Sequence, residues 1–573
     1  MDYKKVYESW LNNEFFDQDT RDELKNIEND ENEIEDRFYQ ELAFGTAGLR
    51  GKLGAGTNRM NQYTVAKASQ AFADTISDMG EDAKKRGVTI CYDVRHKSDE
   101  FSKITAEVFA ANGIKVNIFK EIQPTPVCSY AIRKLKSIAG VMVTASHNPR
   151  EYNGYKAYGS DGSQILEDIA VQIQNYMKEY NDYSKIKRID FDKAMDEGLI
   201  SWIDDSLIED YVKEVLACTI NDDVDKKVKI VYTPLNGCGN KLVRRILKER
   251  GFENIYIVKE QENPDPDFTT VGYPNPEDPK AFKLSEKLGE EKEADLLLAT
   301  DPDSDRCAVE VKDEKGNYQF LTGNQIGSLL TNYILTALDE NNELPEDGAV
   351  VKTIVSTDLI KPIAKSYGVE VYEVLTGFKN IYEVANEFER KGKGEFIFGF
   401  EESIGYNYKT FVRDKDAVNS AMLISEMTAY YKDKGKTLLD VLDDIYDKFG
   451  YYSNEVQSIV LEGLDGANKI KRIMETIRNN PIEEVIGLKV KNIVDYLNDD
   501  TGLSKSNVLK YYLEDDSWFV LRPSGTEPKI KLYLNVIEKS KKESEIKKDK
   551  LKDEVNKIID KIDWKFKIKV PRI

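Results

Sequence analysis

The sequence predicts an α/β protein: three successive α/β units and a smaller α+β segment at the C-terminal end. Three observations carry this. Apolar strand-like runs alternate with amphipathic helical stretches. The alternation restarts twice, near Lys229 and near Gly323. In each unit one apolar run leads into a polar loop, at Ser146, Asp301 and Glu401. A chain of 573 residues is also too long for one ordinary core. The expected divisions are residues 1–206, 207–322, 323–448 and 449–573.

Residues 8–42 are acidic with helical spacing and read as a helical cap. In the first unit, helices are expected over 63–79 and 100–112, and strands over 88–92, 115–119 and 139–143. In the second, strands are expected over 229–232 and 255–258, a helix over 239–250, and a further strand along the apolar run 294–299. The third opens with a helix over 323–338, followed by strands over 349–355, 369–374 and 395–398. The last segment reads as a hairpin, strands 517–521 and 530–536 around a loop at 522–529, then a helix over 540–562 whose charges form a solvated face.

Composition narrows the function. The formal net charge is −21, which argues against nucleic acid or an anionic membrane as partner. No apolar segment reaches the length of a membrane span, and residues 1–8 lack an apolar signal region. Five cysteines without CxxC pairing read as reduced thiols of a cytoplasmic protein. Only two histidines are present, His96 and His147, which excludes most zinc sites and most Ser-His-Asp schemes. His147 adjoins Ser146; neighbouring side chains on a turn diverge, so it is read as ordering the loop rather than as a base.

Four loops carry chemistry. Thr144 to Pro149 follows a buried strand and offers the Ser146 hydroxyl where open sheets bind ligands. Just downstream, Tyr152-Asn153-Gly154-Tyr155-Lys156 returns a lysine toward it, a candidate acid or base. Asp301-Pro302-Asp303-Ser304-Asp305-Arg306 alternates three carboxylates after a strand. It opens like an EF-hand, but Arg306 and Lys312 occupy the positions that need Gly and Glu. The alternation suits Mg²⁺ completed by a phosphate oxygen, with Arg306 on the phosphate; an acidic hairpin turn is the alternative. Arg522 to Lys529 gathers an arginine, two hydroxyls, a glycine backbone and a lysine, a dianion cradle or a polar turn. Glu401, Glu402 and Ser403, with Thr376-Gly377-Phe378-Lys379 before them and Arg413 to Asp416 after, suit hydrogen bonding to vicinal hydroxyls, or form an ordinary acidic loop. Gly435-Lys436-Thr437 mimics the end of a P-loop, but Tyr430 stands where its first glycine belongs.

Taken in this order, these loops closely resemble the α-D-phosphohexomutase superfamily over about residues 40–540. Phe44 to Gly51 matches that family's N-terminal substrate loop, Thr144 to Pro149 its phosphoserine loop, Asp301, Asp303 and Asp305 its Mg²⁺ ligands, Glu401 and Ser403 its sugar-hydroxyl loop, and Arg522 to Thr526 its distal phosphate site. Departures are Ala47 for a frequent serine, Phe400 for a glycine and Asn236 for a histidine. The resemblance implies three related α/β domains and a smaller α+β C-terminal domain around a central active-site cleft. It implies Mg²⁺ held by Ser146, Asp301, Asp303 and Asp305, catalysis by Ser146, Lys156, Arg50 and Arg306, and substrate contacts from Thr46, Arg50, His147, Thr376, Gly377, Lys379, Glu401, Ser403, Lys415, Arg522, Ser524, Gly525 and Thr526. Length and N-terminal extension are most similar to the long phosphoglucomutase subgroup, which includes phosphopentomutases. The implied reaction is interconversion of glucose 1-phosphate and glucose 6-phosphate by a monomer through phosphoserine and glucose 1,6-bisphosphate; mannose or pentose phosphates are the alternatives on the same mechanism. A phosphatase or a silent binding protein are the alternatives outside it.

Overall fold

The structure, a computed structural model, describes residues 2–461, 466–524 and 529–569. The chain forms two compact units: Met1–Gly323 with Phe378–Thr437, and Asn324–Gly377 with Leu438–Ile573.

Two mixed sheets organise the first unit. One contains β1 (Leu49–Lys52), β2 (Val88–Tyr92), β3 (Val116–Ile118), β4 (Ala139–Val143), β5 (Tyr152–Gly159) and β6 (Ile200–Trp202), in the order β1-β5-β4-β2-β3-β6. Strands β4, β2, β3 and β6 are parallel. Helices Ser98–Ala111 and Thr125–Leu135 supply the first two crossovers that parallel pairing requires. Covered on both faces, these strands enclose Val88, Ile90, Val116, Ile118, Val141 and Val143 almost completely. Strand β5, to which the sequence reading assigned no element, returns antiparallel to β4 and sets Lys156 opposite Met142.

The second sheet contains β7 (Lys229–Thr233), β8 (Asn254–Ile257), β9 (Leu296–Thr300), β10 (Cys307–Lys312) and β11 (Tyr318–Leu321), in the order β11-β10-β9-β7-β8. Here too the parallel strands end in an antiparallel return, β9 to β10. Of the next four strands, β12 (Gly348–Thr353) and β13 (Glu370–Val374) pair in parallel in the second unit. Strands β14 (Glu395–Glu401) and β15 (Gly405–Tyr408) pair antiparallel in the first. β14 runs three residues beyond the expected 398, so Glu401 ends a strand rather than opening a loop.

Thus the three polar loops foreseen after apolar strands are all hairpin turns. Each carries one non-glycine residue in the left-handed region: Ser146 at φ 51°, Ser304 at φ 52° and Ile404 at φ 54°. Such backbone is costly for an L-residue and persists only where its surroundings fix it. A relationship too faint to read as sequence identity is visible as repeated topology.

In the second unit, β16 (Tyr451–Val460), β17 (Glu484–Val485), β18 (Leu488–Asp495), β19 (Leu509–Leu513), β20 (Trp518–Pro523) and β21 (Lys529–Glu538) form an antiparallel sheet ordered β16-β21-β20-β19-β18-β17. Helices Gly466–Asn479 and Lys541–Lys569 pack Ile473, Ile477, Leu551 and Val555 against Leu532 and Leu534. This is the α+β segment the sequence predicts. Arg522 and Pro523 belong to β20 rather than to the expected loop. At the other end of the chain, helices Tyr3–Asn12, Gln18–Asn26 and Glu31–Phe38 form the acidic cap. They hold it down by burying Trp10, Phe16 and Phe38 with Tyr63.

Candidate active site

The Ser146 hairpin leaves β4 through Thr144, whose hydroxyl donates to Asp93 Oδ2 at 2.6 Å. The Thr144 Oγ1 in turn accepts the Ser146 amide at 2.9 Å. The left-handed turn then swings the Ser146 side chain inward, where it is 3% exposed. Its Oγ lies 2.8 Å from Asp301 Oδ2 and 3.2 Å from His147 Nδ1. The expectation that Ser146 and His147 diverge is therefore wrong; φ above zero at Ser146 brings the two side chains together. Burial, with Arg306 and Arg50 nearby, holds His147 well below its ordinary pKa, so it faces the hydroxyl as a neutral ring.

The aspartate hairpin is wired by its own first carboxylate. Asp301 Oδ1 accepts the amides of Asp305 (3.1 Å) and Arg306 (3.0 Å), leaving Oδ2 for Ser146. Asp303 Oδ2 accepts from Thr125 and from Lys156, each at 2.7 Å. Asp305 Oδ2 lies 3.3 Å from both Lys156 and Lys415. All three aspartates are buried. Burial and the charges of Asp303 and Asp305 push the Asp301 carboxyl well above the usual carboxylate range. Burial pushes Asp303 the same way, but Lys156 outweighs it and holds that carboxyl below its ordinary value.

A metal ion fits here on the donor set. One oxygen from each of Asp301, Asp303 and Asp305 lies within 4.8 Å of the others. Asp303 Oδ1 and Asp305 Oδ1 are buried without a hydrogen-bond partner, an arrangement that a hard divalent cation would satisfy. The alternative of a bare acidic turn accounts for the hairpin but not for these orphaned oxygens.

Four cations surround the serine and the carboxylates. Arg50, on β1, donates to Asn148 Oδ1 at 3.0 Å. Arg306 donates to Glu277 at 3.2 Å. Burial opposes the charge on Lys156, but Asp303 and Asp305 outweigh it and raise its pKa. The lysine read as a free acid or base is thus an ion-paired ammonium. Lys415 is fixed by Asp414 at 3.0 Å, itself held by Tyr158 and Gln164. Glu401 is buried at the end of β14 and Ser403 is half-buried in the turn after it. Thr46 sits in a turn closed by Gly48 N–H to Gly45 O at 2.8 Å. Gly48 is obligatory there: φ is +76°, and a Cβ would fall 1.7 Å from Tyr155 O. Burial lowers the half-buried Lys379 to about 8, opposed only by Glu167.

The remaining candidates lie in the second unit. Thr376 and Gly377 follow β13. Arg522 donates to the Tyr533 hydroxyl at 3.3 Å, and Ser524 N–H closes onto Lys529 O at 2.8 Å. Gly525 and Thr526 lie outside the described residues.

Sequence reasoning missed Asp93, Arg95, Thr125 and Glu277. Each supports a site residue from far along the chain, as Thr125 does Asp303 across 178 positions. Arg95, two residues from Asp93 just beyond a buried strand, was the one local signal available.

The site places a buried hydroxyl against a carboxylate triad and a ring of cations, which is the equipment of a phosphoryl-transfer enzyme. Four family models match the chain in order: phosphoglucomutase/phosphomannomutase α/β/α domain I over residues 41–184, domain II over 209–316, domain III over 322–449, and the C-terminal domain over 471–552. The chain belongs to the phosphoglucomutase/phosphomannomutase family, and it is an isomerase-class mutase with the family's four-domain α/β architecture. A phosphoglucomutase of Staphylococcus aureus is 38% identical over 526 residues, covering 90% of this chain and 93% of that one. One of Staphylococcus haemolyticus is 36% identical over 513 residues, covering 88% and 91%. Among solved structures, the open form of Paramecium parafusin, a phosphoglucomutase, shares the fold with a TM-score of 0.69 at 19% identity, covering 91% of this chain and 95% of that one. Aspergillus fumigatus N-acetylphosphoglucosamine mutase, solved with GlcNAc-6P and magnesium, gives 0.52 at 14% identity, covering 91% and 96%.

Proposed function

We propose that this chain interconverts glucose 1-phosphate and glucose 6-phosphate, with Ser146 carrying the phosphoryl group and glucose 1,6-bisphosphate as the intermediate. The observation that carries this is the Ser146 hydroxyl, buried in a left-handed turn 2.8 Å from Asp301. Phospho-Ser146 gives its phosphoryl group to a hydroxyl of the sugar phosphate; the bisphosphate turns over and returns its other phosphate to Ser146. Asp301, Asp303 and Asp305, with the Ser146 phosphate, hold Mg²⁺, which when bound neutralises charge on the transferring oxygens. Arg50, Arg306 and Lys156 surround the transferring group as fixed cations. His147 and Thr46 contact substrate beside them. Lys379, Glu401, Ser403 and Lys415, with Thr376 and Gly377, read the sugar hydroxyls. Arg522, Ser524, Gly525 and Thr526 hold the phosphate that is not reacting. The Aspergillus mutase, solved with GlcNAc-6P and magnesium, supports Mg²⁺ and a sugar phosphate as what such a site takes. The buried, unpaired cysteines support a cytoplasmic setting, the charge of −21 supports partners other than nucleic acid or membrane, and a monomer follows the default of the long subgroup.

A coupled assay with glucose 1-phosphate tests the reading. Glucose 6-phosphate should accumulate only with Mg²⁺ and a trace of glucose 1,6-bisphosphate. Release of inorganic phosphate without isomerisation would make the enzyme a phosphatase instead. Higher kcat/KM on mannose or ribose 1-phosphate would reassign the sugar.

A further inference from the structure

Arg95 lies immediately beyond β2, 3% exposed, and its guanidinium reaches into the Ser146 hairpin. Nη1 donates to Pro149 O at 2.9 Å and to Tyr152 O at 3.1 Å. Nη2 donates to Ser146 O and Asn148 O. Nε faces Asp93 Oδ2 at 3.4 Å. One planar cation therefore collects four carbonyls from seven consecutive residues, Ser146 to Tyr152, which span the turn from β4 to the start of β5. The Phe268 ring covers its face, 5.2 Å from the guanidinium carbon. Asp93 works on the same turn from the other side. It accepts the Thr144 hydroxyl, and that hydroxyl accepts the Ser146 amide. Asp93 is further fixed by Ser98 Oγ at 2.8 Å and by the Arg95 amide at 2.9 Å.

The Ser146 backbone is thus gripped at its amide, through Thr144, and at its carbonyl, through Arg95. Those two bonds bracket the residue whose φ is 51°. Left to itself, an L-serine would leave that region, and Oγ would turn away from Asp301. The geometry points to Arg95, clamped by Asp93, as the positioning residue of the reaction: it fixes the left-handed turn that aims Ser146 Oγ at the carboxylate triad. Lysine cannot replace it, since a single ammonium offers three donors from a point rather than a planar fork. Arg95 touches neither Ser146 Oγ nor the carboxylates and acts only through the backbone it holds. This inference rests on the reading of Ser146 as the phosphoryl carrier.

The experiment therefore runs in two stages. Intact-mass analysis after incubation with glucose 1,6-bisphosphate first checks that the unaltered chain takes up phosphate on Ser146; no uptake there defeats the reading of the site, not this inference. Arg95→Lys is then assayed for kcat, KM and melting temperature. A sub-ångström misplacement of the serine should lower kcat about 100-fold while KM for glucose 1-phosphate stays within about 2-fold. Arg95→Ala should regain part of its kcat when guanidinium is added, a response that a general loss of packing would not give. Should neither variant fold, Thr144→Val carries the test, because it cuts only the link from Asp93 to the Ser146 amide; kcat should fall about 10-fold at unchanged KM. Folded Arg95→Lys, or Thr144→Val in its place, turning over at the rate of the unaltered chain would overturn the assignment.

Discussion

The serine hairpin and the aspartate hairpin are built alike and held differently. Both return the chain antiparallel from the last parallel strand of their sheets, and both contain a serine in the left-handed region. The side-chain bracing of the aspartate turn comes from within, since Asp301 Oδ1 accepts two amides of its own loop, while the backbone amides of Thr125, Cys238 and Ala417 reach its carbonyls from elsewhere. The serine turn is held from outside, by Asp93 and Arg95 about fifty residues earlier. A metal-ligating loop can use one carboxylate both to fold and to bind. The serine loop braces the Ser146 amide with its own Thr144, but that hydroxyl is itself held by Asp93, and Arg95 gathers the carbonyls of the turn from beyond β2. Damage to the aspartate loop should therefore come from substitutions inside it, and damage to the serine loop from substitutions both inside it and at a distance.

The largest effect separates the two loops by chemistry. Ser146→Ala removes the atom proposed to carry phosphate and should lower kcat at least ~10³-fold, equivalent to ~4 kcal/mol of barrier. Adding Mg²⁺ should restore nothing. Ordinary mutase turnover in this variant would end the proposal.

Asp303→Asn probes the other loop. Asp303 takes no part in folding its own turn; its side chain meets Thr125, Lys156 and the two orphaned oxygens' pocket. An amide keeps the bond from Thr125 but offers a weaker donor to a hard cation. We expect kcat to fall ~10²-fold, ~3 kcal/mol of barrier, with partial recovery as Mg²⁺ is raised. Chelation by EDTA should abolish activity in the unaltered chain, and Mg²⁺ should return it. Full activity in chelator would remove the triad from the mechanism.

Arg522→Ala contrasts the chemical site with the proposed phosphate cradle. Loss of one bidentate donor should raise KM for glucose 1-phosphate roughly 10-fold or more, while Ser146 still accepts phosphate from glucose 1,6-bisphosphate. If KM and labelling are both unchanged, Arg522 does not hold the idle phosphate.

The same contrast explains what was legible in the sequence. The aspartate loop announces itself because ligands and scaffold occupy six consecutive residues. Ser146 is visible as a hydroxyl after a buried run, but its supports are not: Asp93 and Arg95 become its neighbours only because β2 and β4 pair in parallel. Strand β5 was hidden because its buried positions include Asn153 and Lys156, which break the apolar pattern that marks a strand. Side-chain direction at Ser146 and His147 was misjudged for a related reason. A positive φ at serine cannot be read from residue type, and it reverses the divergence expected of neighbours on a turn.

The smallest effect concerns a carboxylate in the strand that leaves the aspartate loop. Glu310 lies on β10, is 2% exposed, and its Oε2 has no hydrogen-bond partner. Burial raises its pKa to about 8, helped by Glu286, and Tyr318 is the other titratable group facing it. Where Asp301 turns burial to use through Ser146 and two amides, Glu310 has no such partner. Its folded pKa exceeds its unfolded one, so the folded chain keeps the proton that the unfolded chain gives up. The native state is therefore best placed below pH ~4.5 with respect to this group, and loses that advantage progressively as pH rises toward about 8. Glu310→Gln removes the titration. Relative to the unaltered chain, its melting temperature should gain on the order of a few degrees between pH 5 and pH 8. Above pH ~8 the gap should level off, and kcat should be unaffected throughout. A gap that stays constant across this range would show that Glu310 is ionised in the folded chain, and that its orphaned oxygen is solvated after all.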